Sequence, residues 1–214
     1  MMLIATLEKK ALKIPSMNWQ TVKDKLREYA QQVEDGQVIV EVGTWLGACT
    51  AAMMLGVKES GKTNVTLHMY DRFITYTSQV EKAAKFGVEL QSEKSYFEMV
   101  QKSLKPFDIP FIMHRGDIKS AKYDGNCKIG LFVDDASKKR DAFLHTMKTF
   151  SPFFIPKKTI VGLLDFHYWE KKPGKGYECQ RDFMEANKQH YKYLFRIVNP
   201  NGDKSSEAFF LYLG

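Results

Sequence analysis

The chain has 214 residues, of which 44% are hydrophobic and 27% charged, the proportions of an ordinary globular protein rather than of a disordered, collagenous or coiled-coil chain. Its 32 basic and 25 acidic side chains leave a net +7, split unevenly: 18 − 17 = +1 over residues 1–135 and 14 − 8 = +6 over residues 136–214. Three scattered cysteines without a CxxC pair exclude a disulfide framework or zinc ribbon.

Helical and extended patterns alternate along the chain. Val22, Leu26, Tyr29 and Val33 recur at the spacing of one helical face, and residues 38–42 (VIVEV) read as a short strand. Residues 48–57 are small and apolar on all sides, as in a helix pressed against a sheet. Residues 65–70 read as a strand, 92–104 as a helix, and 109–114 and 129–133 as short buried strands. Phe143, Leu144, Met147 and Phe150 form a helical stripe, and residues 159–164 (TIVGLL) make a further strand. Strands that are hydrophobic throughout and separated by helices belong to a parallel sheet covered on both faces. The last third differs. A helix over 180–190 is followed by strands over 193–198 and 207–213, joined only by the turn-rich segment 199–206. That connection is too short for a crossover helix, so the final pair is expected to be antiparallel.

This pattern predicts one α/β domain over 1–214, with a helical extension over 1–35 and a Rossmann-like core over 36–214. No apolar run approaches the roughly 18 residues of a membrane span. The first six residues are too short for the apolar region of a signal peptide, so a cytoplasmic protein without membrane contact is expected.

Ligands of open α/β sheets bind at the carboxyl ends of the strands. The first strand ends in Glu41-Val42-Gly43-Thr44-Trp45-Leu46-Gly47. Gly43 suits a tight turn with close backbone approach, and Gly47 suits a helix start packed near the sheet. The bulky Trp45 inside this G-x-x-x-G spacing disfavours a dinucleotide pyrophosphate, which needs open backbone. Asp71 ends the second strand, Gly116-Asp117 follow the third, and Asp134-Asp135 follow the fourth. Four successive strands thus end in acidic side chains. Such an edge accepts hydrogen bonds and attracts positive charge, the reverse of a phosphate cradle.

EVGTWLG followed by an alanine-rich helix resembles motif I of the class I S-adenosylmethionine-dependent methyltransferases. The branch it resembles holds sugar and small-molecule O-methyltransferases related to macrocin O-methyltransferase. The resemblance covers residues 36–170 and implies a seven-stranded, mostly parallel sheet ending in an antiparallel hairpin. It implies that Glu41, Gly43, Thr44 and Gly47 surround the methionine part of the cofactor and that Asp71 binds the ribose hydroxyls. Asp117 would lie beside the adenine amine, and Asp134 near the methyl group and the acceptor, where it would take a catalytic role.

Metal-dependent relatives carry a further acidic or amide pair after the fifth strand. Here Asp165 is present but Phe166 follows it. Two options stay open: Mg2+ held by Asp134 and Asp165, or His167 acting as ligand or general base. Tyr168 and Trp169 suit the wall of an acceptor pocket, and Lys171, Lys172 and Lys175 lie in a loop beside it, which would suit an anionic small-molecule acceptor. Without DPPY or NPPY the chain departs from adenine and cytosine N-methyltransferases. The +6 of the C-terminal third keeps a nucleic-acid acceptor open, and Phe166 keeps open a cofactor-binding module without catalysis.

Overall fold

The computed structural model describes residues 2–198, 201–202 and 204–214. Two helices come first, α1 (Met2–Leu12) and α2 (Gln20–Ala30), then β1 (Val38–Val42), α3 (Ala48–Glu59) and β2 (Thr66–Asp71). There follow α4 (Thr77–Ala84), α5 (Phe97–Leu104), β3 (Phe111–Arg115), β4 (Ile129–Asp134), α6 (Arg140–Phe150) and β5 (Ile160–Leu163). The last third holds α7 (Tyr168–Lys171), α8 (Cys179–Ala186), β6 (Tyr191–Val198) and β7 (Lys204–Tyr212). No helix among the described residues is long and apolar enough to cross a membrane.

The seven strands form one sheet in the order β3-β2-β1-β4-β5-β7-β6. β1 to β5 run parallel, and β7 lies antiparallel between β5 and β6. The sheet is therefore mixed, with the expected hairpin at its end. Of the connecting turn, Asn199, Pro200 and Asp203 lie outside the described residues. The order reverses at β1 and β4, the switch point outside whose strand ends lies the crevice where ligands of such sheets bind.

Strand alternation feeds two cores. Ile39, Leu67, Met69, Leu131 and Val133 face α2 and α3, whose Val22, Leu26, Met53 and Met54 are buried with them. Val40, Val42, Phe132, Val161 and Leu163 face the other side, where Phe143, Met147 and Phe150 of α6 join them. Leu144 of the same stripe stays partly exposed at the edge.

Three local features depart from a regular strand–helix alternation. The helix expected from residue 92 starts only at Phe97, because Ser95 forms an antiparallel bridge with Ile74 and holds the preceding segment extended. The β3–β4 connection contains only a short 3₁₀ turn, Ile118–Ser120. The third is α6, which begins only at Arg140, six residues past the end of β4. The turn amides of Ala136 and Ser137 are held by Asp134 Oδ1, at 3.0 and 2.8 Å, and not by Asp135.

Candidate active site at the strand ends

The turn after β1 is built around close approach. Gly43 has φ +89°, and a Cβ there would lie 2.9 Å from both Ala136 Cβ and the Asp135 carbonyl carbon. The β1 and β4 loops therefore touch only because Gly43 has no side chain. Gly47, also at φ +89°, starts α3, and its nearest neighbours would be 3.4 Å from a Cβ. Beneath the turn lies Glu41, which accepts hydrogen bonds from Thr44 Oγ1 (3.2 Å) and Thr50 Oγ1. Burial pushes its carboxyl up to about 7, with the two hydroxyls pulling the other way.

Asp71 has more to do than its position at a strand end suggests. Its Oδ2 accepts from the amides of Thr44 (2.9 Å) and Trp45 (3.0 Å). Its Oδ1 accepts from the Phe73 amide (2.8 Å) and the Tyr96 hydroxyl (3.0 Å). Trp45 (φ 44°) and Phe73 (φ 51°) both adopt left-handed backbone, which costs a bulky residue roughly 1–2 kcal/mol. Such strain persists where the surroundings over-determine it, and here one carboxylate bonds both amides.

Asp117 accepts from the Lys119 amide (2.9 Å) and pairs with Arg72 across the loop. The amide and the guanidinium hold its carboxyl below its ordinary range. Beside it, Tyr70, His114, Gly116, Ile118 and Lys122 line a cavity of about 330 Å³, at the small end of ligand pockets. Inside this pocket His114 stacks flat on Tyr70 with ring centres 4.1 Å apart.

Asp134 is fully buried. With Oδ1 committed to the turn, its Oδ2 has no hydrogen-bond partner, and burial raises the carboxyl to about 6. Asp135 turns toward the N-terminal segment, where Asn18 donates to it at 2.9 Å and to Cys49 Sγ at 3.4 Å. Asp165, almost buried, binds the ammonium of Lys138 at 2.7 Å. Lys138 also sits over the Tyr168 ring, 5.1 Å from its centre. Burial raises the Asp135 and Asp165 carboxyls, the charge of Asp165 adding to the rise at Asp135.

His167 donates through Nδ1 to Glu170 (2.7 Å), and Glu170 is held in turn by Arg196 at 2.9 Å. Its Nε2 is buried without a hydrogen-bond partner. Burial and the Arg196 charge lower its pKa against the opposing pull of Glu170, which favours the neutral ring. Phe166 is packed against Phe210 and the His167 ring and offers no oxygen where a ligand was expected. Among the described residues no three His, Cys, Asp or Glu side chains are grouped to hold a metal ion. Asp134 and Asp165 therefore do not fit Mg2+: one oxygen of Asp134 ties down a turn, and Asp165 already has a cation.

The structure thus brings Glu41, Gly43, Thr44, Gly47, Asp71, Asp117, Asp134, Asp165 and His167 to the carboxyl edge of the sheet. The sequence reading missed Asn18, Tyr96, Lys138 and Glu170. For Lys138 the available signal was a cation four residues after the β4 aspartate, and for Glu170 the i, i+3 spacing from His167; Asn18 and Tyr96 have none, since their partners are distant in sequence.

No family model matches the sequence, and no curated protein does. Solved structures are similar in fold. The O-methyltransferase NovP superposes with a TM-score of 0.63 at 13% identity, over 90% of this chain and 79% of its own. CalS11, a TDP-rhamnose 3'-O-methyltransferase of calicheamicin biosynthesis, gives 0.65 at 14%, over 94% and 82%. This is the class I methyltransferase fold. TomG from Streptomyces achromogenes, an O-methyltransferase of tomaymycin synthesis in complex with S-adenosylmethionine, gives 0.54 at 17%, over 97% and 89%. At these identities the likeness speaks for the fold, and the chemistry has to be argued from this chain's own residues.

Proposed function

We propose that the chain is an S-adenosylmethionine-dependent methyltransferase that methylates a hydroxyl of a small polar acceptor such as a sugar. The observation that carries this reading is the set of acidic groups Glu41, Asp71, Asp117 and Asp134 at one sheet edge, around a glycine turn. The cofactor supplies an activated methyl group on a sulfonium. Its ammonium, diol and amine are donors, and the buried, unpartnered Oδ2 of Asp134 is an acceptor suited to such a group.

Glu41, Gly43, Thr44 and Gly47 would enclose the methionine portion, and Asp117 would meet the adenine next to the cavity. Asp71 would receive the ribose diol by exchanging the Tyr96 hydroxyl for a ribose hydroxyl, one O–H donor for another. His167 would take the acceptor proton at Nε2, with Glu170 fixing the tautomer that leaves this nitrogen unprotonated. Positioning does the rest, since an in-line methyl transfer needs the acceptor oxygen held behind the methyl carbon. Lys138, Tyr168 and the lysines after α7 favour an anionic acceptor.

Calorimetric titration with S-adenosylhomocysteine, with NAD as control, tests the cofactor. Binding of the first alone supports the reading, and binding of neither removes it. A radiolabelled methyl-transfer screen against sugars, sugar phosphates and RNA then tests the acceptor. Transfer to RNA with steep salt dependence would replace the small-molecule reading by a nucleic-acid one.

A further inference from the structure

The ends of β4 and β5 carry Asp135 and Asp165, and the cation whose charge acts on both is Lys138. The Lys138 ammonium lies 2.7 Å from Asp165 Oδ2 and over the Tyr168 ring. It reaches there because Asp134 bends the backbone at Ala136 and Ser137, which delays α6 and leaves Lys138 in the turn. Cys179 Sγ donates weakly to the Lys138 carbonyl (3.5 Å) and Gln180 Nε2 to that of Ser137 (3.4 Å), so α8 braces the same turn. Phe166 occupies the position where a further oxygen would complete a cation shell, and its ring is packed into the second core. Lys138 keeps 39% of its side chain exposed, but its turn, an aspartate and an aromatic ring position the ammonium.

We propose that Lys138 is the built-in cation of this site and does for the acceptor oxygen what a divalent ion does in metal-dependent O-methyltransferases. The proposal rests on the methyltransferase reading for its chemistry, though not for the placement of Lys138. During transfer the sulfonium C–S bond breaks with its electron pair remaining on sulfur, and the acceptor oxygen's lone pair forms the C–O bond. The hydroxyl proton passes to the base, His167 in the reading above. Lys138 keeps its protons and donates a hydrogen bond to the oxygen as negative charge develops there. An ammonium offers three donors and one charge without an open coordination shell, so the acceptor needs only one oxygen at this point. A vicinal diol that chelates a metal gains nothing from its second oxygen here.

The test reads metal binding and catalysis separately. Mn2+ is titrated into the wild type, Lys138→Met and Lys138→Met/Asp165→Asn, each with S-adenosylhomocysteine present, and free Mn2+ is followed by electron paramagnetic resonance. The wild type is expected to take up no stoichiometric Mn2+ at about 1 mM, the weak end of protein sites for hard divalent cations. Lys138→Met exposes the carboxylates and is expected to bind one Mn2+ at least ten-fold tighter, and the double variant to lose it. Circular dichroism and retained S-adenosylhomocysteine binding show that the variants are folded. Stoichiometric Mn2+ binding by the wild type, or no gain in a folded Lys138→Met, overturns the assignment of Lys138. Failure of the wild type to bind S-adenosylhomocysteine instead overturns the methyltransferase reading, and the Mn2+ result still reports on Lys138. With an acceptor from the screen, turnover should be unchanged by EDTA and fall about a hundred-fold in Lys138→Met, with Lys138→Arg recovering part. EDTA-sensitive wild-type turnover would also overturn it.

Discussion

Asp71→Ala is the substitution with the most to reveal, because the carboxylate serves the loop as well as any ligand. Removing it strands four donors: the amides of Thr44, Trp45 and Phe73 and the hydroxyl of Tyr96. Thr44 and Trp45 are buried too, but they lie in the turn at the sheet edge, where a small shift admits water and partly recovers their loss. Phe73 is fully buried and Tyr96 nearly so, and each buried donor left without an acceptor costs roughly 1–3 kcal/mol. The left-handed backbone at Trp45 and Phe73 then also loses the bonds that hold it. Together these give a destabilisation of about 4 kcal/mol, a large part of a typical total of 5–15 kcal/mol. For a chain of this length the thermal midpoint should drop by about 8–16 °C, measured by circular dichroism without ligand. Tyr96→Phe removes one donor of the four and should cost about 1 kcal/mol. An Asp71→Ala protein that melts within about 2 °C of the wild type would show that the carboxylate does not brace the loop, and the reasoning would fail.

Other outcomes follow from the same geometry. Gly43→Ala combines a left-handed backbone with contact at 2.9 Å to the β4 loop and should cost about 3 kcal/mol in urea unfolding. Gly47→Ala meets nothing closer than 3.4 Å and should cost about 1 kcal/mol; equal costs would show that β1 and β4 do not touch there. Because burial raises Glu41 to about 7, well above its unfolded value, its contribution is fully present below about pH 4.5 and is lost as pH rises through 7. Wild-type stability relative to Glu41→Gln should fall by about 2–3 kcal/mol between pH 5 and 8, and parallel pH profiles would place Glu41 in contact with water. S-adenosylhomocysteine at about 100 times its Kd should add about 2.7 kcal/mol to stability, read as a rise in thermal midpoint that NAD does not reproduce.

What the sequence made legible is what depends on period and punctuation. The apolar runs at 38–42, 129–133 and 159–164 are strands because β-branched and aromatic residues recur between turn signals, and the short 199–206 connection dictated the antiparallel end. The acidic residues stood out because each closes a strand. What stayed hidden depends on register between strands and on long-range contact. That Lys138 meets Asp165 follows from the β4–β5 pairing of Asp134 with Leu163 and from a turn that keeps Lys138 ahead of the helix starting at Arg140. That Asn18 reaches Asp135, 117 residues away, follows from how α1 and α2 pack on α3, which no local pattern encodes. The protein partners of Asp71 stayed hidden because they lie in three separate segments.

The uneven charge of the chain now has a location. Acidic groups cluster where β1, β2, β3 and β4 end, while Lys138 and Lys172 lie over Tyr168, Lys139 over Tyr177 and Arg181 over Trp169, around the segment after β5. Lys139 also donates to the Lys175 carbonyl at 2.7 Å, which ties the basic loop to the start of α6. Aromatic rings hold these cations at about 0.5–1 kcal/mol each, so the positive side of the crevice is partly pre-ordered. A cationic, donor-rich cofactor and a negatively charged acceptor would then approach from opposite signs of the same crevice, with β4 as the boundary. Under the proposed function, a sugar phosphate should therefore bind more tightly than the free sugar, by a margin that shrinks as salt screens exposed charges. Competition calorimetry at low and high salt measures that margin. Equal affinities at both salt concentrations would assign these lysines to solubility and leave Lys138 as the one cation with a part in the chemistry.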